Sequence, residues 1–169
     1  MRDTSRCSTE IEDEGVLSIR ADQYINCSAD DVYRQVCENY FTFQPVWDPA
    51  ILAMRAASDR PIAVGSEAEI SRLFRNKTES GRSTVTDLVA GTSITVLNCY
   101  PRSSETRLIS CQQLNAGGTR LHVEISYTLH SLARLVAPLS ANLLERALAI
   151  SLRSAKLELE KGIHADEAS

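Results

Sequence analysis

The side chains in this sequence that combine a reactive group with a position aiming it inward are polarising groups rather than nucleophiles. Arg72 follows Ala68 and Ile70 at two-residue spacing and precedes Phe74, so in a strand all four share one face. If that face is inward, the guanidinium must be paired or must hold an anionic or carbonyl oxygen; a twist returning it to solvent is the rival reading. Tyr127 continues the apolar alternation Leu121, Val123, Ile125, and its phenol could donate to a carbonyl, as an enolate-forming cyclisation requires. Tyr100 carries the same group, but the phase of its strand leaves open which face holds Tyr100 and which Cys99. A two-residue turn at Gly117-Gly118 would set Gln112 opposite Val123 and Ser110 opposite Ile125, turning both polar groups inward, where they need partners. Tyr127, Arg72 and Gln112 are thus the catalytic candidates, each able to polarise a carbonyl.

Tyr40, Phe41, Phe43 and Trp47 fall within residues 39–49, dense enough to form a wall, whether of a pocket or of the core. A nucleophile elbow, a phosphate-cradling glycine loop and a catalytic carboxylate pair are missing, which leaves hydrolase, kinase and dehydrogenase chemistry unsupported. Of the three histidines, His164 lies near the end, His122 shares a solvated face with Glu124, and His130 stands just before the last helix, usually a surface position. The five cysteines contain no C-x-x-C pair and no nearby histidine, so buried reduced thiols are expected, with no metal and no cofactor.

The elements that must position these groups follow from periodicity. Residues 16–27 alternate as a half-buried strand, with Leu17, Ile19, Ala21, Ile25 and Cys27 on one face. Ser28 can cap a short helix in which Val32, Tyr33, Val36, Cys37 and Tyr40 recur on one side and Arg34, Gln35 and Glu38 on the other. The prolines at 45 and 49 prevent a long helix through 39–49. Six strand-like segments follow, at 51–57, 66–75, 78–89, 93–100, 105–115 and 119–129, joined by short turns that imply an antiparallel meander. From about residue 131 to 161, Leu132, Val136, Leu139, Leu143, Ala147, Ile150 and Leu157 follow helical spacing, with Pro138 at or near the start of the main segment. The fold class is α+β, with one long terminal helix laid over a large curved sheet. One helix cannot fill that face alone, so the remainder is packed side chains or a cavity, where small ligands bind.

At 169 residues the chain suits one domain. Lys and Arg number 18 against 22 Asp and Glu, a net charge of −4, which offers no footprint for nucleic acid or an anionic membrane. No apolar run is long enough for a membrane span, and Glu10, Glu12, Asp13 and Glu14 stand where a signal peptide would be apolar, so a cytoplasmic location is expected. Residues 1–15 read as a flexible tail, 16–163 as the domain and 164–169 as a second tail.

The run Ile25-Asn26-Cys27-Ser28-Ala29-Asp30-Asp31-Val32-Tyr33 resembles the opening of the START/Bet v 1-like (SRPBCC) superfamily, especially its polyketide cyclase/dehydrase branch. Trp47-Asp48-Pro49 resembles that branch's W-x-P, and Val64-Gly65-Ser66 its entry into the third strand; the likeness spans about residues 16–163. The resemblance implies a helix-grip fold: a curved antiparallel sheet of about seven strands wrapped around a long C-terminal helix, with two short helices after the first strand and a deep hydrophobic pocket. It further implies that Trp47, Tyr40 and Phe43 surround the pocket, beside Phe74, Ser110, Val123, Ile125, Leu143 and Ala147 from the strand and helix faces above. The expected function is cyclisation or dehydration of a hydrophobic, carbonyl-bearing metabolite. The alternatives are a non-catalytic carrier or sensor of a lipid-like molecule, and an interaction domain with a collapsed cavity; homodimerisation is left open.

Overall fold

The computed structural model describes residues 7–12, 16–74, 76–129 and 137–166. Eight strands form one antiparallel sheet: β1 (Cys7–Glu12), β2 (Val16–Ile25), β3 (Ile51–Ala56), β4 (Glu67–Phe74), β5 (Lys77–Val89), β6 (Ser93–Tyr100), β7 (Ser103–Gln113) and β8 (Thr119–Leu129), in the order β1-β2-β8-β7-β6-β5-β4-β3. The seven strands anticipated from residue 16 onward are β2 to β8, and β3 to β8 form the expected meander. The eighth corrects the sequence reading: residues 7–12, expected to be part of a tail, pair antiparallel with β2 from Cys7 opposite Ala21 to Glu12 opposite Val16.

The local signals between β2 and β3 act as their chemistry suggests. Ser28 Oγ accepts from the Asp31 amide at 3.2 Å and starts α1 (Ala29–Tyr33), which continues as a π-helical turn (Arg34–Glu38) and then α2 (Tyr40–Trp47). Val32, Tyr33, Val36, Cys37 and Tyr40 are buried, while Arg34, Gln35 and Glu38 are exposed. Pro45 sits inside α2, which spans only 8 residues.

Two phases differ from expectation, and both decide what faces the interior. The β7–β8 connection is not a two-residue turn: the Leu114 amide donates to the Gly118 carbonyl at 3.0 Å and Gln113 pairs with Thr119, so residues 114–118 form the loop. This offset flips every β7 side chain relative to the expected register. Cys111 lies opposite Leu121, Ile109 opposite Val123, Arg107 opposite Ile125 and Glu105 opposite Tyr127. In α3 (Ala137–Asp166) the buried stripe is Leu148, Ser151, Leu152, Ala155 and Leu159, packed against β2 and α2. Leu143, Ile150 and Leu157, expected inside, are 67%, 58% and 59% exposed. The helix carries two apolar stripes, and periodicity alone does not say which one docks. It also runs past the expected boundary at residue 163; His130, Leu132 and Val136 lie outside the described residues.

Candidate functional site

The inner face of the sheet carries a band of polar side chains where its strands would be expected to be apolar. Register builds it: Ala68 pairs with Ser83, Ser83 with Asn98, Asn98 with Glu105, Glu105 with Tyr127 and Tyr127 with Leu17, so Ser83, Asn98, Glu105 and Tyr127 form one transverse row. Arg107 projects inward from β7 one step along, and Arg72 from β4 beside its cross-strand partner Glu79. From above the sheet, Asp48 enters at the C-terminus of α2 and Ser151 from α3.

Asp48 joins three elements. Its Oδ2 accepts from Arg107 Nη1 at 2.8 Å and from Gln44 Nε2 at 3.1 Å; its Oδ1 accepts from the Ala50 amide at 3.1 Å and from Ser151 Oγ at 3.3 Å. Glu105 lies between the two guanidiniums, accepting from Arg107 Nη2 at 3.3 Å and from Asn98 Nδ2 at 2.8 Å, with Arg72 Nη1 at 3.6 Å. Arg72 also donates to Glu79 through Nε at 2.9 Å and Nη2 at 2.7 Å, and to Ser103 Oγ at 2.8 Å, with its guanidinium 3.4 Å from the centre of the Tyr100 ring. Gly81 makes room for that ring: a Cβ there would lie 2.8 Å from Tyr100 Cδ1 and collide with the Cys99 carbonyl oxygen.

Electrostatics fixes the protonation of the cluster. Burial works against the charge on Arg107, but Glu105 and Asp48 outweigh it and hold the guanidinium protonated well above its ordinary range. Burial pushes the Tyr40 phenol up to about 12, with the charges of Glu105 and Asp48 adding to the shift and Arg107 opposing it. Tyr100 and Tyr127 are raised further, by burial first and the negative charge of Glu105 second. All three remain hydrogen-bond donors near neutrality. Several buried polar atoms find no protein partner among the described residues: the Tyr100 hydroxyl, Trp47 Nε1, Arg107 Nε, Gln44 Oε1 and Ser83 Oγ; the Tyr40 phenol and the Asn98 side chain lie within reach of each other.

The predicted site residues divide between the two sides of the sheet. Arg72, Tyr127, Tyr40 and Trp47 belong to the interior, with Val123 and Ile125 buried beside them and Phe43 packed against the same core. Tyr100 points in and Cys99 out. Ser110 and Gln112 are corrected to the outer face, where with Asp22, Arg120 and His122 they line a shallow depression of about 290 Å³. There His122 Nδ1 lies 2.8 Å from Asp22 Oδ1. Phe74, 40% exposed, sits at the end of its strand with the Arg72 guanidinium 4.8 Å over its ring, and Leu143 and Ala147 lie on the exposed side of α3.

Asp48, Asn98, Glu105 and Arg107 escaped the sequence reading. The signal was there in the pairs Asn98/Tyr100 and Glu105/Arg107, each at the two-residue spacing of one strand face, but it pointed inward only once the register was known. Cys27, Cys37 and Cys111 are buried free thiols; burial raises Cys27, and a hydrogen bond with Cys111 together with burial raises Cys37. Among the described residues no three His, Cys, Asp or Glu side chains converge as metal ligands, and no helix is long and apolar enough to cross a membrane.

No protein-family model and no curated protein matches the sequence. Solved structures do. The protein TTHA0849 from Thermus thermophilus superposes with a TM-score of 0.70 at 12% identity, over 86% of this chain and 98% of that one. A START superfamily protein from Mycobacterium smegmatis superposes with a TM-score of 0.69 at 15% identity, over 85% and 97%. The chain has the helix-grip fold of START and Bet v 1-like proteins. Ara h 8.0201 matches it with a TM-score of 0.65 at 10% identity, over 86% of this chain and 99% of its own. At these identities the helix-grip likeness is one of fold.

Proposed function

We propose that this protein binds a hydrophobic small molecule between the inner face of its sheet and the helices α2 and α3. The observation that carries the reading is the buried cluster of Trp47, Tyr100 and Arg107, each with a polar atom that no protein group satisfies among the described residues. Such atoms cost free energy unless a partner meets them, roughly 1–3 kcal/mol each, so a domain that retains several in one region is suited to a ligand that bonds them. The partly buried side chains of Phe43, Met54, Tyr127 and Leu144, packed against the same core, would give that ligand an apolar approach.

Cyclisation or dehydration of a carbonyl-bearing metabolite is the second reading, favoured by the elevated phenols. Tyr127 or Tyr40, held protonated, would donate to a carbonyl oxygen as negative charge develops on it. Gln112, on the opposite face, takes no part. An apolar ligand that binds the native state should raise Tm with the logarithm of its concentration above Kd, and native mass spectrometry of the purified protein should identify what is retained. Failure of a broad panel of apolar ligands to move Tm would defeat the binding reading. Tyr127→Phe separates the two: if it abolishes turnover while product still binds, the protein is an enzyme, and if it changes affinity alone, the protein is a carrier.

A further inference from the structure

The charges and unsatisfied atoms of the interior are specific enough to define what it accepts. Resting on the binding reading above, we infer that the ligand carries at least one oxygen acceptor and no negative charge, and that the site discriminates against a carboxylate of the same shape.

The charge count comes first. Arg107 is matched by Asp48 at 2.8 Å and Glu105 at 3.3 Å; Arg72 is matched by Glu79 at 2.7 Å and approached by Glu105 at 3.6 Å. Three carboxylates, Asp48, Glu79 and Glu105, thus face two guanidiniums, so both cations are already matched and negative charge is in excess. A carboxylate entering here would be an additional buried anion beside Asp48 and Glu105, the costliest situation for a charge in a protein interior. The unsatisfied atoms come second. The hydroxyls of Tyr100 and Ser83, the Trp47 indole and Arg107 Nε are donors, whereas Gln44 contributes only a carbonyl oxygen. A ketone, ester, ether or hydroxyl oxygen fits both.

Matched probes test this: 2-acetylnaphthalene, 2-naphthoate and naphthalene itself, titrated calorimetrically into the full chain at pH 7.5. The ketone should bind at least tenfold tighter than each of the other two. A carboxylate that binds as tightly as the ketone overturns the inference and leaves the binding reading standing; naphthalene binding as tightly overturns the acceptor requirement. No binding by any probe overturns the binding reading itself, and this inference with it. Asp48→Asn leaves Arg107 with less counter-charge and should narrow the ketone-over-carboxylate preference at least tenfold. Glu105→Gln makes the same test should Asp48→Asn fail to fold, and an unchanged preference in the folded variant refutes the charge argument.

Discussion

The carboxylate of Asp48 closes α2, anchors Arg107 of β7 and reaches Ser151 of α3, so one side chain fastens both helices to the sheet. Removing it strands a buried guanidinium. Asp48→Ala should therefore lower stability by about 3–5 kcal/mol, measured by chemical denaturation, and the Asp48→Ala/Arg107→Met double variant should be less damaged than the sum of its parts. Strict additivity would mean that the pair is not coupled. Nothing in the sequence marks Asp48 as buried, since an Asp before Pro49 is ordinary turn chemistry. Arg72 was different: its place among Ala68, Ile70 and Phe74 demanded either a partner or solvent, and it found Glu79, Ser103 and Glu105.

At the scale of elements, phase rather than type was the hard question. The strands, the Ser28 cap and the long last helix all follow from alternation, capping chemistry and periodicity, which are local properties. The docked side of α3 is not local, because two leucine-bearing stripes compete and the curvature of the sheet selects one. The consequence is measurable in two substitutions. Leu152→Ala, in the buried stripe, should cost about 2–5 kcal/mol, whereas Ile150→Ala, on the 58%-exposed side, should stay within about 0.5 kcal/mol. Equal losses would place the wrong face against β2. The β7 register has the same character: a five-residue loop in place of a two-residue turn exchanges Ser110 and Gln112 for Arg107 and Glu105 inside.

For the molecule as a whole, the buried phenols tie stability to alkaline pH. A tyrosine whose proton is held more tightly in the folded state than in the unfolded chain stabilises the fold fully below the unfolded value near 10 and loses that contribution as pH rises toward the folded value. For Tyr40, raised to about 12, the loss between pH 10 and pH 12 amounts to about 2–3 kcal/mol, and Tyr100 and Tyr127, raised further, act in the same direction. Phenolate absorbance of these residues should accordingly appear only together with loss of the circular dichroism of the fold; their free titration in the native state would show that the cluster is open to water. The α+β class, the strand order along the chain and the inward aromatic segment were legible in the sequence by itself, because hydrophobic periodicity and turn residues act over a few positions. The polar interior was decided only by tertiary structure: Asp48 closes α2, Asn98 lies on β6 and Glu105 and Arg107 on β7, and it is strand register, set by loop geometry and burial, that brings their polar groups together.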